Sequence, residues 1–204
     1  MQERATTTRT TVLHAAASVF ERRGYAAATI AEILSEGNVT KGAAYFHFES
    51  KEALARAIVA EQAEWRSPDA RPGSASLQHV VDLVYRFARA LETDVLARAS
   101  VRLTLERNTF ERHPDEPDQY QAWIDDIRPH LDAADSRGEL TIPPEAATHI
   151  IVSAVAGTQV VSEALTNRAD LVARIHTFWT TLAPGMISAK SRRRIDLRPL
   201  AERD

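Results

Sequence analysis

Apolar residues along this chain recur at three- and four-residue steps, and polar breaks between them divide it into a succession of helices. Val12, Leu13, Ala16, Val19 and Phe20 make one stripe, which predicts a helix from about Thr8 to Arg23, closed by Gly24 as a left-handed cap. Thr29-Ile30-Ala31-Glu32 has the form of a capping box, the threonine and glutamate side chains each satisfying a backbone donor at the start of a second helix. Ile30, Ile33 and Leu34 give that helix its buried side. Gly37-Asn38, both tolerant of left-handed backbone, end it. Thr40 caps a short third helix. Ser50 caps a fourth that runs through Leu54, Ile58 and Trp65, with Glu52 near its positive end. The stretch from Ser67 to Ser74 reads as a loop, and helical patterns follow at roughly 77–91, 94–109, 118–137, 144–166 and 168–183. Their breaks fall at Thr93-Asp94, His113-Pro114, Gly138, Pro143-Pro144 and Thr166-Asn167. No alternating stretch competes as a strand, so the predicted fold is all-α.

Composition narrows the class. Hydrophobic residues make up 44% of the 204 and charged residues 26%, the balance of a chain that buries a core. No stretch reaches the ~20 apolar residues that a bilayer-spanning helix needs. Met1-Gln2-Glu3-Arg4 and the threonines after it lack the apolar centre of a secretory signal. With no cysteine there is no disulfide, thiolate metal site or cysteine nucleophile, and a reducing cytoplasm fits. The net charge of −3 argues against a coat that binds DNA regardless of sequence, while leaving room for a local basic surface. Up to residue 51, Arg4, Arg9, Arg22, Arg23, Lys41 and Lys51 barely outweigh Glu3, Glu21, Glu32, Glu36 and Glu49. Charge alone does not suggest a nucleic-acid partner; the pattern does.

Two short helices joined by about four residues and braced by a longer first helix form a helix-turn-helix, placed here over residues 1–50. In Thr40-Lys41-Gly42-Ala43-Ala44-Tyr45-Phe46-His47-Phe48, the amino end offers unpaired backbone donors and a partial positive charge. Lys41 can reach guanine O6 or N7 in the major groove. Gly42, about 1 kcal/mol worse than alanine in a helix, suits a close approach to the duplex. The alternation along the helix assigns Tyr45 and His47 to phosphates and Phe46 and Phe48 to the core, and Lys51 could neutralise a further phosphate. With Phe20-Glu21-Arg22-Arg23-Gly24-Tyr25, Thr29-Ile30-Ala31-Glu32-Ile33 and Tyr45 to Lys51, this segment resembles the tetracycline-repressor (TetR) family from about Thr8 to Leu54. The resemblance implies an all-helical repressor that binds double-stranded operator DNA and pairs two chains through its last helices. It carries DNA contacts onto Thr29, Thr40, Lys41, Gly42, Tyr45, His47 and Lys51. Two positions depart from the family pattern: Asn38 stands where glycine is usual, and Ala44 where a larger aliphatic is usual.

Residues 51–185 are read as a helical ligand-binding and dimerisation domain, and 186–204, with Lys190, Arg192, Arg193 and Arg194, as a basic and only partly ordered tail. Pockets for small apolar molecules combine apolar walls with a few polar groups. Trp123 and Thr158 are the leading polar candidates, with Gln62 beside them; Leu103, Val155 and Phe87 would be walls. Val152, Ala156, Val160, Phe178, Trp179 and Leu182 carry more apolar surface than a small domain exposes and are assigned to the interface of a homodimer. Ala99-Ser100-Val101-Arg102-Leu103, Trp123 and Val155-Ala156-Gly157-Thr158-Gln159-Val160-Val161 are similar to γ-butyrolactone receptors of antibiotic-producing actinomycetes. That resemblance implies a repressor released by a diffusible lactone or furan, with Trp123 donating to the lactone. A regulator answering another hydrophobic compound, such as an antibiotic, is the alternative. An enzyme or a helical interaction protein without DNA binding is the remoter one: no Gly-rich phosphate loop, His-Glu-x-x-His or nucleophile elbow is present, and no metal or cofactor is expected. Asp125, Asp126 and His130 share a helix and are read as solvated or pairing residues.

Overall fold

The structure, a computed structural model, describes residues 2–61, 76–106 and 119–203. The end of the fourth predicted helix at Trp65, the 67–74 loop, the His113-Pro114 break and Gln62 lie outside those residues. By packing, the chain divides into two units, one of Met1–Glu64 with Thr93–Glu116 and one of Trp65–Glu92 with Pro117–Asp204. Among the described residues the fold is helical, apart from one isolated bridge between Leu140 and Ile187.

In the first unit α1 (Gln2–Ala27) is the central element, with α2 (Ile30–Gly37), α3 (Lys41–His47) and α4 (Lys51–Ala60) following in order and α6 (Val95–Leu105) packed against α1 and α4. The predicted stripe is the core: Val12, Ala16, Val19 and Phe20 are buried, joined by Ile33, Leu54 and Ile58. Each large apolar side chain buried in this way stabilises the unit by about 1.5–3 kcal/mol. Packing thus groups α4 and α6 with the helices of residues 1–50.

Gly24 breaks the first helix where expected, at φ 74° and ψ 171°, and a short helical stretch follows through Ala27. The reason is a polar latch from α6. Glu106 accepts from the Tyr25 backbone N–H through Oε2 (2.8 Å) and from Arg102 Nε through Oε1 (2.8 Å). Arg102 Nη1 donates to the Glu21 carbonyl (2.7 Å), and Arg98 Nε to the Glu21 carboxylate (3.0 Å). The positive φ favours glycine, and a Cβ on residue 24 would lie 2.6 Å from the Glu106 carboxylate, which would have to move aside.

The second unit holds α5 (Leu77–Thr93, whose last residue falls in the first unit), α7 (Gln119–Ser136), α8 (Pro144–Thr166) and α9 (Leu171–Met186). α8 begins on Pro144, where a missing N–H costs nothing, and ends at Asn167 in the left-handed region. The basic tail is not loose. After α10 (Ala189–Arg192) the chain runs back along α5: the Asp196 N–H and carbonyl pair with the Gln78 side chain (2.8 and 3.0 Å), Tyr85 donates to the Leu197 carbonyl (2.7 Å), and Arg203 ion-pairs with Asp82. The expectation of a partly ordered tail is corrected by these side-chain anchors, which polarity alone does not disclose.

Candidate nucleic-acid interface and effector site

The turn before α3 is built by Asn38, at φ 48° and ψ 45°, whose N–H closes α2 onto Leu34 and Ser35. Of the Gly37-Asn38 pair only Asn38 is left-handed. Gly37 is the last residue of α2, where an added Cβ would lie 3.0 Å from that of Ala15 on α1. Thr40 then caps α3, its hydroxyl accepting from the Ala43 N–H (3.3 Å). α3 ends as Phe48 turns extended and buries.

Burial along α3 has the helical period. Ala44 and Phe48 face inward; Lys41, Gly42, Tyr45 and Phe46 face out. The Lys41 ammonium lies 5.7 Å from the centre of the Tyr45 ring, and nothing stands within 4 Å of a Cβ placed on Gly42. His47 is half-buried, edge-on to the Phe46 ring. Phe46 corrects the sequence expectation: the pattern places it in the core with Phe48, yet it is 80% exposed. Residues two apart in a helix lie on nearly opposite sides, so the pair cannot share one face. Arg9, whose guanidinium sits 5.3 Å over the Phe48 ring, is a cation beside α3 that periodicity gave no cause to single out.

Thr29 and Lys51 are structural in this arrangement. The Thr29 hydroxyl donates to the Glu32 carboxylate (3.0 Å) and accepts from the Glu32 N–H (3.2 Å), completing the capping box. The Thr29 hydroxyl and the Thr29 backbone N–H (3.1 Å), both donating to the carboxylate, hold the Glu32 carboxyl below its ordinary pKa. The Lys51 ammonium donates to the carbonyls of Tyr25 (2.8 Å) and Ala28 (3.0 Å) and lies 4.3 Å from the centre of the Tyr25 ring. It thereby clamps α4 to the end of α1, where carbonyls lack helical partners.

In the second unit Phe87 and Trp123 meet edge to face, ring centres 4.9 Å apart, with Phe87 buried and Trp123 half-buried. Val155 lies on the buried face of α8. Thr158 does not. It lines an open groove of about 800 Å³ between α8 and α9, and its neighbour Gln159 is the polar residue turned inward, 3% exposed and with Oε1 lacking a hydrogen-bond partner. One step along a helix turns a side chain by about 100°, enough to exchange the two roles. Leu103 is fully buried but belongs to the first unit. Arg86, just before Phe87, has buried Nε and Nη2 atoms without partners, and burial lowers its pKa. Neither Gln159 nor Arg86 was singled out from sequence; the signal for Gln159 was its place on the Ile151–Val155–Ser162 stripe.

The outer surface of α8 carries exposed Val160, Val161 and Leu165, with Val152, Ala156 and Leu182 half-buried. Trp179, by contrast, is 2% exposed within the single chain and Phe178 is buried, so Trp179 is corrected from an interface residue to core. His130 stacks on His79, ring centres 4.2 Å apart, and Asp125 accepts from Gln121 (2.9 Å). Among the described residues no cluster of three or more acidic, histidine or cysteine side chains is arranged to hold a metal ion, and no helix is long and apolar enough to cross a membrane.

Residues 12–58 match the family model of bacterial regulatory proteins of the tetR family. The TetR family protein CprB of Streptomyces coelicolor, solved in complex with its biological operator sequence, is 32% identical and superposes over 94% of each chain with a TM-score of 0.80. The chain belongs to the TetR family. Within it, the chain is 40% identical over 187 residues to the A-factor receptor protein of Streptomyces griseus. That alignment covers 91% of this chain and 66% of the receptor, so the chain spans just under two thirds of that relative's length. A solved γ-butyrolactone receptor described as ArpA-like is 31% identical, with 94% of both chains covered and a TM-score of 0.79. In this TetR-family chain the matched segment ends at Ile58, inside α4, and includes the whole of α2 and α3.

Proposed function

We propose that this chain is a ligand-responsive transcriptional repressor that binds a palindromic operator as a homodimer and is released by a small, lactone-like effector. The observation that carries the DNA half is the outward face of α3, where Lys41 and Gly42 stand at the leading turn, clear of the core. That turn joins a cation that can pair with guanine to the positive end of a helix. One seven-residue helix makes few contacts; two copies about one helical turn of DNA apart read both halves of a palindrome. The exposed strip of Val160, Val161 and Leu165 on α8, with the groove beside α9, supplies a surface on which two copies can pair.

The effector half rests on the second unit. The Gln159 Oε1 is a buried acceptor in want of a donor, and Arg86 carries buried donors in want of an acceptor. A hydroxylated lactone offers both, against the apolar surfaces of Phe87, Trp123 and Val155. The names of the A-factor receptor and of the γ-butyrolactone receptor support the same class of ligand. The effector favours a second conformation, one that no longer holds α3 for the groove. A coupling of about 1–3 kcal/mol is the usual scale for such linkage. The protein would act in the cytoplasm, on the nucleoid. The test is to titrate γ-butyrolactones into the preformed protein–DNA complex. Release by a lactone, at concentrations where furans and antibiotics of similar size do nothing, supports the reading; failure of every pocket-sized compound removes the sensor half.

A further inference from the structure

Phe46 is the most exposed of the large apolar side chains on the described surface, and it stands on the helix assigned to DNA. At about 100° per residue, the inward direction of α3, midway between Ala44 and Phe48, lies opposite Phe46. The ring is therefore the outermost side chain of α3. Gly42 precedes it by one turn on nearly the same line and adds no bulk there. A helix entering the major groove along this face brings the Gly42 backbone close and the Phe46 ring deepest. Phenylalanine has neither donor nor acceptor for base edges or phosphates. The one apolar group that the major groove presents for reading is the thymine C5-methyl.

We propose that Phe46 is a specificity-determining residue that reads a thymine methyl group in each half-site, beside the base contacted by Lys41. This rests on the DNA-binding reading above and adds to it a position and a base. His47, edge-on to the ring at 5.0 Å between centres, holds its orientation. The cation in the leading turn and the ring in the next turn then read two chemically different features, an acceptor pair and a methyl group.

The test begins by selecting the preferred duplex from a random pool with the full-length protein, then replacing each thymine in turn by deoxyuridine, which removes only the methyl group. The wild-type protein is expected to lose roughly fourfold in affinity at one symmetric thymine, the value of one buried carbon, and roughly fifteenfold when both half-sites are changed. Phe46→Ala is expected to bind the unmodified duplex about that much more weakly and to ignore the same replacement. Its melting temperature should be unchanged, because the ring is solvent-facing. The proposal is overturned if the selected half-site lacks thymine, if no deoxyuridine weakens the wild type, or if Phe46→Ala keeps either full affinity or the full penalty. Failure of the wild type to enrich any duplex overturns instead the DNA-binding reading beneath it.

Discussion

At Lys51 the sequence pattern suggests one role and the hydrogen bonds of the fold support another. One residue after a helix cap, beside a DNA-reading segment, a lysine suggests a phosphate contact. In the structure two of its three donors go to the Tyr25 and Ala28 carbonyls. Hydrogen bonds to charged groups contribute about 1.5–3 kcal/mol, and two that share one ammonium are expected to contribute about 2 kcal/mol in total. Lys51→Ala should therefore lower the melting temperature by several degrees while leaving the slope of log affinity against log salt unchanged. A phosphate contact would instead reduce that slope by about one with little change in melting. Phe46 and Gln159 teach the complementary lesson. At both positions the angle around the helix, and not residue type, decides which of two neighbours faces inward.

The connection from α8 to α9 turns on Asp170. Its carboxylate accepts from Ser162 (2.6 Å), Thr166 (2.7 Å) and Arg174 (2.8 Å), and these bonds, the Ser162 hydroxyl first, bring its pKa down to about 2 from the ordinary 3.8. A carboxyl lowered by folding stabilises the folded state fully above its unfolded pKa, and that stabilisation is lost as the pH falls through the folded value. Asp170→Asn should thus melt at a lower temperature than wild type at pH 5–7, with the gap closing as the pH falls through 3.8 towards 2; a gap that persists at pH 2 would assign the effect to packing. Much at this scale was legible in sequence. The capping box at Thr29, the caps at Thr40 and Ser50, the steps of the α1 stripe and the break at Asn167 all depend on residues within four positions of one another. What escaped was non-local. The latch at Gly24 depends on Glu106, some eighty residues away, and the ordered tail depends on Gln78, Asp82 and Tyr85; neither carries a periodic signature.

For the whole molecule, the proposed reading makes pairing and DNA binding stand or fall together, because one copy of α3 would read only half a palindrome. Val161→Glu sets a charge on the exposed strip of α8. It is expected to shift the protein from dimer to monomer in sedimentation and to cut operator affinity at least tenfold, with helicity unchanged; a dimer that persists would place the pairing surface elsewhere. The central claim remains that the leading turn of α3 enters the major groove. Its most direct test is the affinity of Lys41→Ala for the selected duplex, set against Arg192→Ala on α10 in the other unit. The account predicts a loss of about 1–3 kcal/mol per half-site for Lys41→Ala, with discrimination relaxed at the contacted base pair, and almost none for Arg192→Ala. Equal affinities for the two variants would contradict it.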